Sequence, residues 1–223
     1  MTNEPKRESL HSEAIPHGPQ AILKVEFPKL LLFLSLPLYI LDQATKAWTV
    51  SHFSEPPPGG FSSHDMPWMI IPDVFHWIRV HNQGVAFGLG NGTDWAPVVF
   101  LIVPLIALTI IRVFWKKGAF DHVLSRIAVA LLLCGIFGNL TDRLVQGFLL
   151  EQVKDGSLWH RLSSGYVVDF ISVKLPFYEK ISPASEGWWP TFNVADSCIC
   201  IAAFLLFIGG IMEEKAKAKA VVA

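Results

Sequence analysis

The sequence predicts an all-α polytopic membrane protein with four transmembrane helices and a small sheet outside the membrane. Three observations carry this. The 223 residues are 52% hydrophobic and only 17% charged. The charges are absent from Trp95–Ile111, Ile127–Thr141 and Ser197–Met212, and Leu30–Val50 holds only Asp42 and Lys46. With flanking residues each run reaches roughly 20 residues, enough to cross ~30 Å of hydrocarbon as a helix. Finally, lysine and arginine collect at alternate ends of these runs.

The helices are expected at about 30–50, 95–115, 123–144 and 192–212. A soluble four-helix bundle is disfavoured because its helices would each carry a polar stripe. Lys6, Arg7, Lys24 and Lys29 precede the first run. Arg112, Lys116, Lys117 and Arg126 bracket the turn between the second and third, and Lys215, Lys217 and Lys219 follow the fourth. The positive-inside rule makes those ends cytoplasmic, so 1–29 and 213–223 are expected inside and the connections 51–94 and 145–191 outside. Trp48, Trp95, Trp115, Trp188 and Trp189 fall near the helix ends, as an aromatic belt requires. The long polar start, with no small-residue cleavage site after the first run, predicts a retained N-terminus in a single membrane-embedded domain.

Within the outer connections, Ser54–Ser63 reads as loop by its proline and glycine content. Val74–His81 and Tyr166–Val173 read as strands by their β-branched and aromatic residues. Two short strands need support from the helices beneath them. The near-zero net charge of -1 argues against a nucleic-acid partner. Cys134, Cys198 and Cys200 lie in apolar runs and read as small apolar filler rather than a disulfide framework.

Carboxylates near the membrane point to function, because an ionisable group beside a spanning helix is costly. Topology places Asp42, Asp142 and Asp196 toward the outer leaflet, and Asp169 lies in the segment feeding the last helix. Lys46 and Arg143 are nearby. No His-Glu-x-x-His, Gly-x-Ser-x-Gly or phosphate-binding glycine loop is present, and no histidine has metal-ligand spacing with a partner. Acid-base chemistry by a carboxylate pair is left, in which two aspartates share a proton and activate water. The competing class is a carboxylate-lined, ion-coupled transporter, which also uses intramembrane acids. A non-catalytic assembly protein would leave the acids without purpose.

Five blocks occur in order: Leu41–Lys46 (LDQATK), Asn82–Gly88 (NQGVAFG), Gly138–Leu144 (GNLTDRL), Val168–Ile171 (VDFI) and Phe192–Ser197 (FNVADS). Together they resemble the motifs of bacterial lipoprotein signal peptidase, signal peptidase II. The resemblance implies an inner-membrane aspartic endopeptidase with an extracytoplasmic β-cradle. Such an enzyme removes the signal peptide of diacylglyceryl-modified prolipoproteins, cutting before the lipidated cysteine. By motif match the catalytic pair is Asp169 and Asp196. Asn82, Asn139, Arg143 and Asn193 match polar residues around the dyad and the substrate backbone, while Asp42, Lys46 and Asp142 match motif positions of less defined role. The expected partners are lipid-modified prolipoproteins and membrane lipid, with the chain a monomer, no cofactor and no metal. Other readings stay open. Asp42 and Lys46 are also i,i+4 partners for an internal ion pair, Asp142 and Arg143 an interfacial pair, and Asn193 a helix cap. The sequence departs from the family pattern in long outer loops at 51–72, 148–164 and 174–189.

Overall fold

The computed structural model describes residues 26–57, 62–84, 93 and 95–222. Four of its helices are long and apolar enough to cross a membrane: α1 (Phe27–His52), α2 (Ala96–Lys116), α3 (Val123–Leu149) and α5 (Val194–Val222). A short α4 (Leu158–Ser163) lies between α3 and the sheet segment. The expected cytoplasmic segment before residue 26 and the NQGVAFG block beyond Gly84 fall outside the described residues.

Local chemistry accounts for the irregularities. Pro37 has no N–H, and its ring would strike the carbonyl four residues back, so the preceding turn of α1 widens into a π segment at Leu31–Ser35. Ser35 Oγ then donates to Ala130 O at 2.7 Å, tying α1 to α3. The ring Nδ1 of His122 accepts from Leu124 N at 3.2 Å and so caps α3. That helix runs five residues past the expected end at 144. Asp142 and Arg143 do not stop it because both are buried and partnered by other elements, so they never need the solvent that would fray the turn.

The core is the seam between α3 and α5, where Ala128, Leu131, Cys134, Cys198 and Ala202 are buried together. With no hydrophobic drive between helices in lipid, close approach of small residues supplies the attraction. A Cβ at Gly138 would stand 2.7 Å from Asp42 Oδ2 and 2.9 Å from Ala195 Cβ. Cys134 and Cys198 fill this seam as expected of apolar filler, while Cys200 faces outward.

Three antiparallel strands in the order β1 (Trp68–Ile71), β2 (Phe75–Asn82) and β3 (Val167–Val173) rest on the end of α1. The middle and last match the two expected strands to within a residue. β1 falls in a segment expected to be loop, because Pro67 and Pro72 enclose a run of only four residues. Trp77 Nε1 donates to Thr49 Oγ1 at 2.8 Å and its ring stacks on Phe170 at 4.7 Å, seating the sheet on α1. The stretch at 148–164 is docked rather than loose. Arg161 donates to Phe148 O at 2.8 Å and covers the Phe148 ring, and α4 contacts α2 and α3.

Candidate active site

Asp169 is placed by β3 and Asp196 by the first turn of α5. Asn193, the residue that opens α5, joins them. Its Nδ2 donates to Asp169 Oδ1 at 2.7 Å, its backbone N donates to Asp196 Oδ2 at 3.3 Å, and its Oδ1 accepts from Asp196 N at 2.9 Å. Asn193 is therefore both the cap of the helix and the bridge of the pair, so the two sequence readings of it describe one residue.

Each carboxylate has a second amide of its own. Asn82, at the end of β2, donates to Asp169 Oδ2 at 2.9 Å. Asn139 on α3 donates to Asp196 Oδ1 at 2.8 Å. Asn139 Oδ1 in turn accepts from Asn193 Nδ2 at 3.2 Å and from Lys46 Nζ at 3.1 Å. The amide orientations follow from this network, since every oxygen meets a donor and every nitrogen an acceptor.

Lys46 lies at the centre of a buried ion cluster, 2.8 Å from Asp42 and 3.0 Å from Asp142. Each of these carboxylates also holds the backbone next to a dyad residue. Asp42 Oδ1 accepts from Ala195 N at 2.9 Å, one residue before Asp196. Asp142 Oδ2 accepts from Val168 N at 3.1 Å, one residue before Asp169. A charged acceptor makes such bonds stronger than neutral pairs, so the cluster fixes β3 and the start of α5 relative to one another. The internal-ion-pair reading of Asp42 and Lys46 and a role at the site are thus compatible.

Sequence reasoning passed over Gln43. Its Nε2 lies 3.1 Å from Asp42 Oδ2, 3.3 Å from Asp142 Oδ1 and 3.1 Å from Gly138 O, bridging both carboxylates of the cluster. A polar amide inside an apolar helix, beside Asp42, was the available signal. Arg143 spends its fork on the chain itself, donating to Gln83 O at 3.2 Å and Gly84 O at 2.7 Å, with Phe100 beneath the guanidinium at 4.9 Å. It secures the backbone that follows Asn82 and is not stacked against Asp142.

Burial pushes the Asp169 carboxyl well above the usual range, and the nearby Asp196 carboxylate adds to the effect. Amide bonds from Asn82 and Asn193 and the charge of Lys46 act in the opposite direction. On the same strand as Asn82, burial and then the charge of Arg79 hold His81 neutral down to about 3. Its Nε2 accepts from Arg79 Nε at 3.0 Å and its ring stacks on Tyr166 at 3.6 Å, so the end of β2 is rigidly held.

The arrangement brings all nine residues singled out in the sequence into one connected site. Its chemistry is that of a buried carboxylate, Asp169, and a half-buried one, Asp196, close enough to interact, held by neutral amides, with one buried ammonium nearby. A model of the family described as "Signal peptidase (SPase) II" matches residues 34–212. A lipoprotein signal peptidase of Syntrophotalea carbinolica is 32% identical over 139 residues, covering 62% of this chain and 70% of its own length. One of Pseudomonas putida is 28% identical over 187 residues, covering 83% of this chain and 89% of its own. Among solved structures, a bacterial membrane enzyme determined by the in meso method at 2.3 Å superposes with a TM-score of 0.62 at 23% identity, covering 87% of this chain and 94% of the other. That likeness shows the fold. All five sequence blocks fall inside the stretch that the family model matches, and the chain belongs to the signal peptidase II family.

Proposed function

We propose that this chain is an aspartic endopeptidase that removes the signal peptide from diacylglyceryl-modified prolipoproteins, cutting before the lipidated cysteine, with Asp169 and Asp196 as the catalytic pair. The observation that carries this is Asn193, which contacts both carboxylates and makes them a single unit.

In this reading the pair holds one proton. Burial places it on Asp169, which donates toward the carbonyl oxygen of the scissile bond. Asp196 sits in the first turn of α5, where aligned peptide dipoles favour a carboxylate, and it takes a proton from the attacking water. Asn82 and Asn139 keep each carboxylate turned toward the other. The Asp42–Lys46–Asp142 cluster acts one step behind, holding the backbone on either side. The positive-inside rule places this site at the outer face of the inner membrane, with both termini in the cytoplasm. The names of the curated relatives support prolipoproteins as substrates, and the lipid anchor of such a precursor suits a site at the membrane interface.

The test is cleavage of a lipidated prolipoprotein by purified enzyme. Asp169→Asn and Asp196→Asn should each insert normally and leave the precursor uncut, and the double variant should be little worse than either single, because the residues act as a unit. Rate against pH should be bell-shaped, with apparent values that belong to the pair. Substantial turnover by either single variant would remove the dyad.

A further inference from the structure

The end of the sheet remote from the carboxylates has an exposed apolar surface that takes no part in the hydrogen-bond network around Asp169 and Asp196. In the β2–β3 register Val80 faces Asp169 and Phe75 faces Val173, which places the far end five residues, or ~17 Å, along the strands. Between the two, Trp77 marks where the sheet crosses α1. Beyond that crossing β1 is exposed along its whole length, where a strand with one covered face would alternate. Met69 is 63%, Ile70 and Ile71 51% and Val74 49% exposed. A separate segment adds to the same end, since Lys174 N donates to Val74 O at 2.9 Å and is followed by Phe177 and Ile181, 69% and 80% exposed.

Two chain segments thus carry exposed apolar residues at or just beyond the same end of the sheet, its tip, and exposed apolar surface of this kind marks an interaction surface. Its surroundings name the occupant. Trp68, at the start of β1, packs on Trp48 at 5.2 Å, on Phe53 at 5.4 Å and on His52 at 6.1 Å, the residues that end the spanning helix α1. Exposed Ile40 and Leu41 lie below on the same helix, so one apolar surface passes from the membrane span through an interfacial tryptophan pair onto β1. Asp73 sits in the β1–β2 turn at the rim of the tip, and with Glu179 and Glu186 it nearly cancels Lys174 and Lys180.

We propose that the tip formed by Met69, Ile70, Ile71, Val74, Phe177 and Ile181 inserts into the lipid leaflet on the sheet side of the membrane. The occupant is acyl chain and glycerol-level lipid, engaged by apolar burial rather than by anionic headgroups. β2 runs directly from this tip to Asn82, so the bilayer itself becomes a support for the strand whose Asn82 bonds Asp169.

The experiment uses the full chain in vesicles of phosphatidylethanolamine and phosphatidylglycerol. Exposed Cys200 is replaced by Ser, and a nitroxide is placed by Ile70→Cys or, in a second variant, by Ile181→Cys. Collision with oxygen should exceed collision with a water-soluble nickel chelate several-fold at both sites, as at a control label on lipid-facing Phe204, and replacing phosphatidylglycerol by phosphatidylcholine should leave the ratio unchanged. Chelate access equal to that at a label on exposed Asp155 overturns the proposal. So does spin–spin broadening at Ile70→Cys that vanishes on dilution with unlabelled chain, which would mean that β1 pairs with a second copy. The two labels lie in different segments, so misfolding of one variant leaves the other to decide.

Discussion

Replacing Lys46 by methionine should destabilise the protein far more than an ordinary core substitution. The methionine fills a similar volume, so the loss is electrostatic. Lys46 Nζ is 2.8 Å from Asp42, 3.0 Å from Asp142 and 3.1 Å from Asn139 Oδ1, and all three charged groups are at most 1% exposed. Without the ammonium, two buried carboxylates share only the amide of Gln43 and the two backbone N–H groups they already bind. Removing one partner of a buried ion pair costs about 3–5 kcal/mol. For a chain of this size that is a drop of about 6–20 °C in melting temperature. The assay is thermal unfolding in a mild detergent, followed by tryptophan fluorescence, within a double-mutant cycle. Asp42→Asn retains an oxygen for Ala195 N while removing one of the stranded charges, so Lys46→Met/Asp42→Asn should be less destabilised than the sum of the singles by at least about 1 kcal/mol. Strict additivity, or a Lys46→Met melting temperature within about 2 °C of the parent, would refute the claim that the cluster is an ionic clamp on β3 and α5.

Three further outcomes are expected. Gly138→Ala places a methyl 2.7 Å from Asp42 Oδ2 and 2.9 Å from Ala195 Cβ, so α3 and α5 must separate. Overpacking of this kind costs about 1–3 kcal/mol, seen as a lowered melting temperature together with lost cleavage. Arg143→Lys keeps the charge but loses the planar fork that sends separate N–H groups to Gln83 O and Gly84 O. Loss of one charged hydrogen bond is worth about 1.5–3 kcal/mol, and a fall in kcat of about 10–100-fold with little change in KM would place Arg143 behind Asn82 rather than on the substrate. Because the folded pKa of Asp169 is raised, its contribution to stability is complete below the unfolded value of ~3.9 and is lost as pH rises through the folded value. The melting temperature of Asp169→Asn minus that of the parent should therefore grow from pH 3.5 to pH 7. A flat difference would mean that Asp169 is not held protonated.

The membrane class and the four apolar helices were legible in the sequence, as were the polar residues that the fold gathers around Asp169 and Asp196. Spans are legible because hydrocarbon tolerates almost no unpaired charge, which makes the few that remain conspicuous. Asp42, Lys46, Asp142 and Asp196 stand out in this way, and Asp169 is singled out by the motif resemblance of the ordered blocks around them. Two strands were legible from their β-branched and aromatic content. β1 was not, because strand formation in Trp68–Ile71 depends on pairing with β2 and on the aromatic contacts of Trp68 at the end of α1, neither of which leaves a local signal. Which partners each polar residue bonds was not legible and follows from the packing. Asp42 and Asp142 are 100 residues apart in sequence, yet Lys46 joins them, and their carboxylates also accept from Ala195 N and Val168 N, respectively, on two further elements. Gln43 acquired a role only when α3 brought Asp142 beside it. Hydrogen bonds act over about 3 Å and depend on direction, so their partners are set by how the helices and the sheet pack, not by how residues are spaced along the chain.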